Sequence, residues 1–114
     1  MATSVDFVEY VCEQIAGSGD VRFKKMFGEY MVYVNDKPIL LVCDNIVYVK
    51  QLECISREMK NAEKGIPYEG SKEHYILNID DAEFCKKIIS ILEPVTSLPK
   101  KRKKQQIILN KGTM

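Results

Sequence analysis

The chain has 114 residues, 46% hydrophobic and 29% charged, with a formal net charge of +1, which suits one domain with its own core and leaves too little for two. No stretch approaches the ~18 apolar residues of a membrane span, and the opening MATSVDFVEY has neither the basic start nor the apolar run of a signal peptide, so a cytoplasmic protein without membrane contact is expected. The near-neutral total hides a division: residues 1–93 carry 11 Lys/Arg against 16 Asp/Glu, net −5, whereas residues 94–114 carry 6 Lys/Arg and no acid, net +6. The expected organisation is therefore an acidic domain over 1–93 and a basic, flexible tail over 94–114.

In chain order, Val8, Val11, Cys12 and Ile15 recur at helical spacing after Ser4, a good N-cap, and Asp6, whose charge suits the first turn. Gly17 and Gly19 close this first helix. Val21 to Met26 reads as a strand, Gly28 permits a turn, and Tyr30 to Val34 and Ile39 to Cys43 should form a hairpin around Asn35, Asp36 and Lys37. Asp44-Asn45 repeats the device before a strand from Ile46 to Lys50. Ile39 to Cys43 is apolar at every position, which predicts a central strand with both faces at least partly covered. A helical layer on one side does not account for both rows, so a second covering element or a partner is implied.

Leu52, Ile55, Met59 and Ala62 keep helical spacing and predict a surface helix over residues 52–64, ended by Gly65 and Pro67. Tyr75 to Leu77 has room for one short strand at or near an edge. Asp80 with Glu83 has the form of a capping box before a last helix whose stripe is Cys85, Ile88, Ile89 and Leu92, stopping before Pro94. The element order α-β-β-β-β-α-β-α predicts an α+β two-layer sandwich, with an antiparallel sheet of about five strands and helices packed on it.

Within Val21–Lys50, the residues Val21, Arg22, Met26, Phe27, Gly28, Tyr30 and Tyr33, and then Tyr48 and Lys50, fall into a pattern that resembles the N-terminal domain of the TfoX/Sxy competence-regulator family. Gly65-x-Pro67-Tyr68 matches a further element, G-x-P-[FY], and the likeness extends over about Phe7 to Glu93. Glu29 and Met31 stand where that family has glycines, and Asn35-Asp36 where it has Asp-Gly. The resemblance implies a secretion-chaperone-like α/β sandwich of bacterial origin. It also implies a role in transcription regulation and DNA transformation, with partners in the transcription machinery. In such proteins this domain precedes a C-terminal helical domain, so this chain looks like a stand-alone TfoX-like protein.

Candidate functional residues fall into two sets. The first is an interaction surface made of Arg22, Lys24, Met26, Phe27, Gly28 and Tyr30. Arg22 and Lys24 are two apart on a strand and share a face, a geometry suited to phosphate or an acidic partner, while Lys25 points the other way; protection of a solvated edge strand explains the same charges. Exposed Met and aromatic residues favour protein interfaces, yet the same residues also serve as ordinary turn and sheet packing. The second set is the run Lys100, Lys101, Arg102, Lys103, Lys104, which would give nonspecific, salt-dependent nucleic-acid binding or act only as a solubilising terminus. Cys12, Cys43, Cys54 and Cys85 contain no C-x-x-C pair and read as reduced core or near-core thiols. With His74 the only histidine, neither a zinc spacing nor a nucleophile–base pair emerges. The expected protein is a non-enzymatic regulatory or adaptor module with no cofactor and no metal, acting by protein–protein contact. Nucleic-acid binding through the tail, or binding of a small ligand by an enzyme, stand as alternatives.

Overall fold

A computed structural model of the chain describes residues 3–26 and 28–99. Helix α1 (Val5–Gln14) leads into strands β1 (Val21–Met26), β2 (Glu29–Val34), β3 (Lys37–Cys43) and β4 (Ile46–Val49), then a 3-10 turn (Glu53–Ile55), β5 (Lys64–Gly65), β6 (His74–Ile76), helix α2 (Ala82–Leu92) and a last 3-10 turn (Glu93–Val95). All strands join one antiparallel sheet in the order β1-β2-β3-β4-β6-β5. The chain is thus the expected α+β sandwich, and the both-faced apolar strand β3 lies inside the sheet.

Two two-residue turns set the register of the meander. Asn35 and Asp36 have φ of 55° and 67°, Asp44 and Asn45 of 52° and 59°, so both residues of each turn are left-handed. That twist matches the twist of the flanking strands, and Asn and Asp tolerate it better than other side chains. The asparagines also act as struts. Asn35 Oδ1 accepts from the Asp20 amide at 2.9 Å and its Nδ2 donates to Glu93 Oε2 at 3.3 Å, while Lys37 Nζ reaches the Glu93 carbonyl and carboxylate at 2.9 and 3.0 Å. At the other turn, Asn45 Oδ1 accepts from the Ser4 amide at 3.2 Å and its own amide donates to Thr3 Oγ1 at 3.3 Å.

Both helices lie on one side of the sheet. Val8, Val11 and Ile15 of α1, with Cys85, Ile88, Ile89 and Leu92 of α2, form a single cluster with Tyr30, Val32, Val34, Leu40, Val42, Val47, Val49, Tyr75 and Leu77. Those strand residues share one parity of the ladder. Ser4 Oγ caps α1 by accepting from the Phe7 amide at 3.2 Å, as its sequence position predicts. The α2 cap, however, is Asp81, which accepts from the Phe84 amide at 3.1 Å, and not Asp80. Asp80 is engaged elsewhere, accepting from the Tyr10 hydroxyl at 2.6 Å.

The predicted helix over 52–64 does not form. A single 3-10 turn is followed by irregular turns held by Ile55 N→Leu52 O, Ser56 N→Glu53 O and Met59 N→Ile55 O bonds. Ile55 and Met59 are still buried, at 0% and 1% exposure, so the apolar spacing records burial and not helix. The reason lies just downstream: Glu63 O accepts from Ile76 N at 2.8 Å, and Lys64–Gly65 pairs with β6, which pulls the backbone into extended geometry. This adds a sixth, two-residue strand that the sequence pattern does not announce. Cys54, expected as a core or near-core thiol, is instead exposed.

Candidate interaction surface

The face of the sheet away from the helices carries a cross-strand row running Lys24, Met31, Leu41, Tyr48, Ile76. Strand alternation explains it: each of these residues is one step out of phase with the buried Val32, Leu40, Val47 and Leu77. Met31, Leu41 and Ile76 are half-buried, and Tyr48 is buried. Tyr48 finds cover because β5 places a glycine beside it; a Cβ on Gly65 would meet Tyr48 Cε1 and Ile76 Cδ1, both at 3.3 Å. The His74 ring stands edge-on to Tyr48 at 6.3 Å, its Nδ1 2.8 Å from the Lys72 carbonyl oxygen. Burial raises the Tyr48 phenol above its ordinary value, with lesser contributions from the negative groups around Cys43, Asp44 and Glu29. The phenol thus stays a neutral hydrogen-bonding tip on an apolar body.

A cleft of about 580 Å³ opens on this face, its walls including Met31, Leu41, Tyr48, Tyr68, His74 and Val95. Its rim is unusually apolar for an accessible site: Leu52, Tyr68 and Val95 are 36%, 54% and 57% exposed. Large exposed apolar side chains are unremarkable singly and informative when they gather round one concavity. At the turn end of the face, Cys43 is 1% exposed, and burial, reinforced by a hydrogen bond to the Glu29 side chain, pushes its thiol up to about 12. The Cys85 thiol is likewise pushed up to about 12 by burial, with Asp81 and Asp80 adding to it, and its Sγ donates to the Asn78 carbonyl at 3.2 Å. Thiols in that condition are packing groups, not nucleophiles.

The residues singled out in the sequence separate on the structure. Arg22, Lys24 and Met26 lie on the open face, but Tyr30 is 7% exposed and packs in the helix-side core, edge-on to Phe23 at 5.6 Å. Gly28 turns the chain with φ of +83° and has no heavy atom within 4 Å of a Cβ placed on it, so its contribution is conformational freedom, not close approach. Arg22 pairs with Asp20 at 3.1 Å. Phe27, Lys100, Lys101, Arg102, Lys103 and Lys104 lie outside the described residues. Leu52, Tyr68 and Val95, which rim the cleft, are not legible as site residues; the sequence signals near them are the two-faced apolarity of Ile39 to Cys43 and the place of Tyr68 in the Gly65-x-Pro67-Tyr68 element.

A second cleft, of about 740 Å³, opens between the start of α1, the turns over 57–63 and the β6–α2 loop. Its charged residues, Arg57, Glu58, Lys60, Glu63 and Asp80, are of both signs. Asp80 is already held by Tyr10, whose phenol is raised chiefly by that hydrogen bond. Among the described residues no three His, Cys, Asp or Glu side chains converge as a metal centre requires. No described helix is long and apolar enough to cross a membrane.

No family model matches the chain. A curated protein of Spirochaeta aurantia, described as an uncharacterized 12.7 kDa protein in the trpE 5' region, is 30% identical to it over 105 residues, which cover 90% of this chain and 91% of that one.

Proposed function

The chain belongs to the same family as the Spirochaeta aurantia 12.7 kDa protein, and from that premise we propose that it is a cytoplasmic, non-enzymatic regulatory or adaptor module that works by binding a protein through the helix-free face of its sheet. The observation that carries the reading is the cleft on that face, rimmed by exposed Leu52, Tyr68 and Val95 and floored by the Met31–Leu41–Tyr48 row. An apolar concavity with Met and Tyr at its centre and charges kept to its margin has the composition of a protein interface core. The TfoX/Sxy-like wording of Val21–Lys50 supports a regulatory setting, with the transcription machinery and competence as the first processes to examine.

Site-specific photocrosslinking in the native cell tests this. A photoreactive residue at Tyr68 is expected to give a discrete adduct that Leu41→Asp removes, whereas the same group at Glu83, on the helix side, gives none. Equal smears from both positions would sink the reading. A reproducible rise of several degrees in melting temperature with one metabolite would replace it with the small-ligand alternative, because a ligand stabilises the state it binds.

A further inference from the structure

Strand β1 is the unpaired margin of the sheet at one end, and its backbone phase can be read directly. The Asn35 amide donates to the Asp20 carbonyl at 2.9 Å, and the β1–β2 register continues without a break from Val21↔Val34 to Met26↔Glu29. In an antiparallel ladder each residue sends its N–H and C=O to the same side, and neighbours alternate. Arg22, Lys24 and Met26 therefore bond β2, and Val21, Phe23 and Lys25 hold their backbone donors and acceptors at the free edge. Arg22, Phe23, Lys24 and Lys25 are all exposed.

Exposed edges are ordinarily blunted by shortness, proline, a bulge or charge. Here the strand has six residues, no proline and an unbroken register with β2, so charge is the only device present. It acts selectively. Two copies of β1 paired antiparallel about Phe23 would set Arg22 against Lys24, and like charges directly opposite are unfavourable. A strand bearing carboxylates meets the reverse situation. Arg22 is satisfied by Asp20, but among the described residues neither Lys24 nor Lys25 has an ion pair or side-chain hydrogen bond. Because Lys24 and Lys25 are consecutive, they project to opposite faces, and an antiparallel partner meets both only with two consecutive acidic residues. Phe23 and Met26, flanking them, call for apolar residues on either side.

We propose that the free edge of β1 is a docking strand for an extended acidic segment of a partner protein, added antiparallel and reading apolar-acidic-acidic-apolar opposite Met26, Lys25, Lys24 and Phe23. Main-chain bonds to Val21, Phe23 and Lys25 supply affinity, and the two lysines supply selectivity, which is the general logic of strand addition. This surface is distinct from the cleft, so the two readings can fail separately.

The test uses the full chain and a fluorescein-labelled peptide centred on Val-Glu-Glu-Val, with a counterpart carrying Lys for Glu. Fluorescence anisotropy should show the acidic peptide binding at least about tenfold tighter, in line with a difference of about 1.4 kcal/mol. The double variant Lys24→Glu/Lys25→Glu should reverse that order. Lys25→Gln should weaken binding a few-fold, and Lys25→Pro, which removes an edge N–H at a position where an edge strand tolerates proline, should abolish it. Amide shifts on binding should centre on Val21, Phe23 and Lys25. Equal binding of the two peptides overturns the proposal. So do shifts confined to Met31, Leu41 and Tyr48, which would leave the cleft reading standing, and so does a concentration-dependent dimer that Lys25→Pro dissolves, which would make a second copy the occupant.

Discussion

Leu40 and Leu41 are neighbours on β3, yet Leu40 is fully buried in the helix-side cluster while Leu41 is half-buried beside the open cleft. One peptide step separates an interior from a surface of nearly the same composition. The helix-side face is finished by α1 and α2, and its side chains answer to packing alone. The other face has Met, Leu, Tyr and Ile in a comparable row without a layer above it. What distinguishes the two faces is the covering, not the residues, and that asymmetry is the main pointer to a binding role.

The largest test of the contrast is a matched pair. Leu40→Ala should cost about 3 kcal/mol in denaturant unfolding, in the range for truncations that leave a cavity, whereas Leu41→Ala should cost less than about 1 kcal/mol because water can fill the space. Equal losses would show that the open face is a second core. Next comes Gly28→Val, expected to cost more than about 1 kcal/mol by thermal melting, since valine has to adopt a φ of +83° with no clash to blame. Gly28→Asn should recover part of the loss, because asparagine tolerates left-handed backbone. Asp81→Ala should cost about 1 kcal/mol by removing the α2 cap and so loosening the covered face alone.

The smallest effect is a pH dependence. The Lys37 and Asn35 hydrogen bonds hold the Glu93 carboxyl below its ordinary value of 4.5. A lowered folded-state value stabilises the fold above pH 4.5 and ceases to do so as pH falls through the folded value. An NMR titration of the Glu93 carboxyl should therefore show protonation at lower pH in the folded chain than in the urea-unfolded chain. Lys37→Gln should bring the two curves closer; unchanged curves would remove the strap between α2 and the β2–β3 turn.

Much of the fold is legible in the chain because its signals are local. Asn35-Asp36 and Asp44-Asn45 prescribe left-handed turns by their own chemistry, and Ser4 caps α1 by accepting from the Phe7 amide only three residues on. The failures are all non-local. Residues 52–64 have helical spacing, but β6 captures Glu63 to Gly65 from nine to thirteen positions away. Asp80 resembles a cap until Tyr10 claims it, leaving Asp81 to do the capping. The cleft joins residues from β2, β3, β4, the 68 loop and the 95 turn, which lie far apart in the chain and come together only in the fold.

The pair of two-residue turns has a kinetic consequence. Strands β2 to β4 are zipped by the shortest possible closures, so the loop entropy that slows most sheets is nearly absent from their formation. During synthesis the meander emerges from the ribosome before α2 does. Until then its helix side has only α1 to cover it. The expected signature is that Val42→Ala slows refolding in stopped flow, while Ile88→Ala chiefly accelerates unfolding; the nascent ribbon closes its inside only when its last helix arrives.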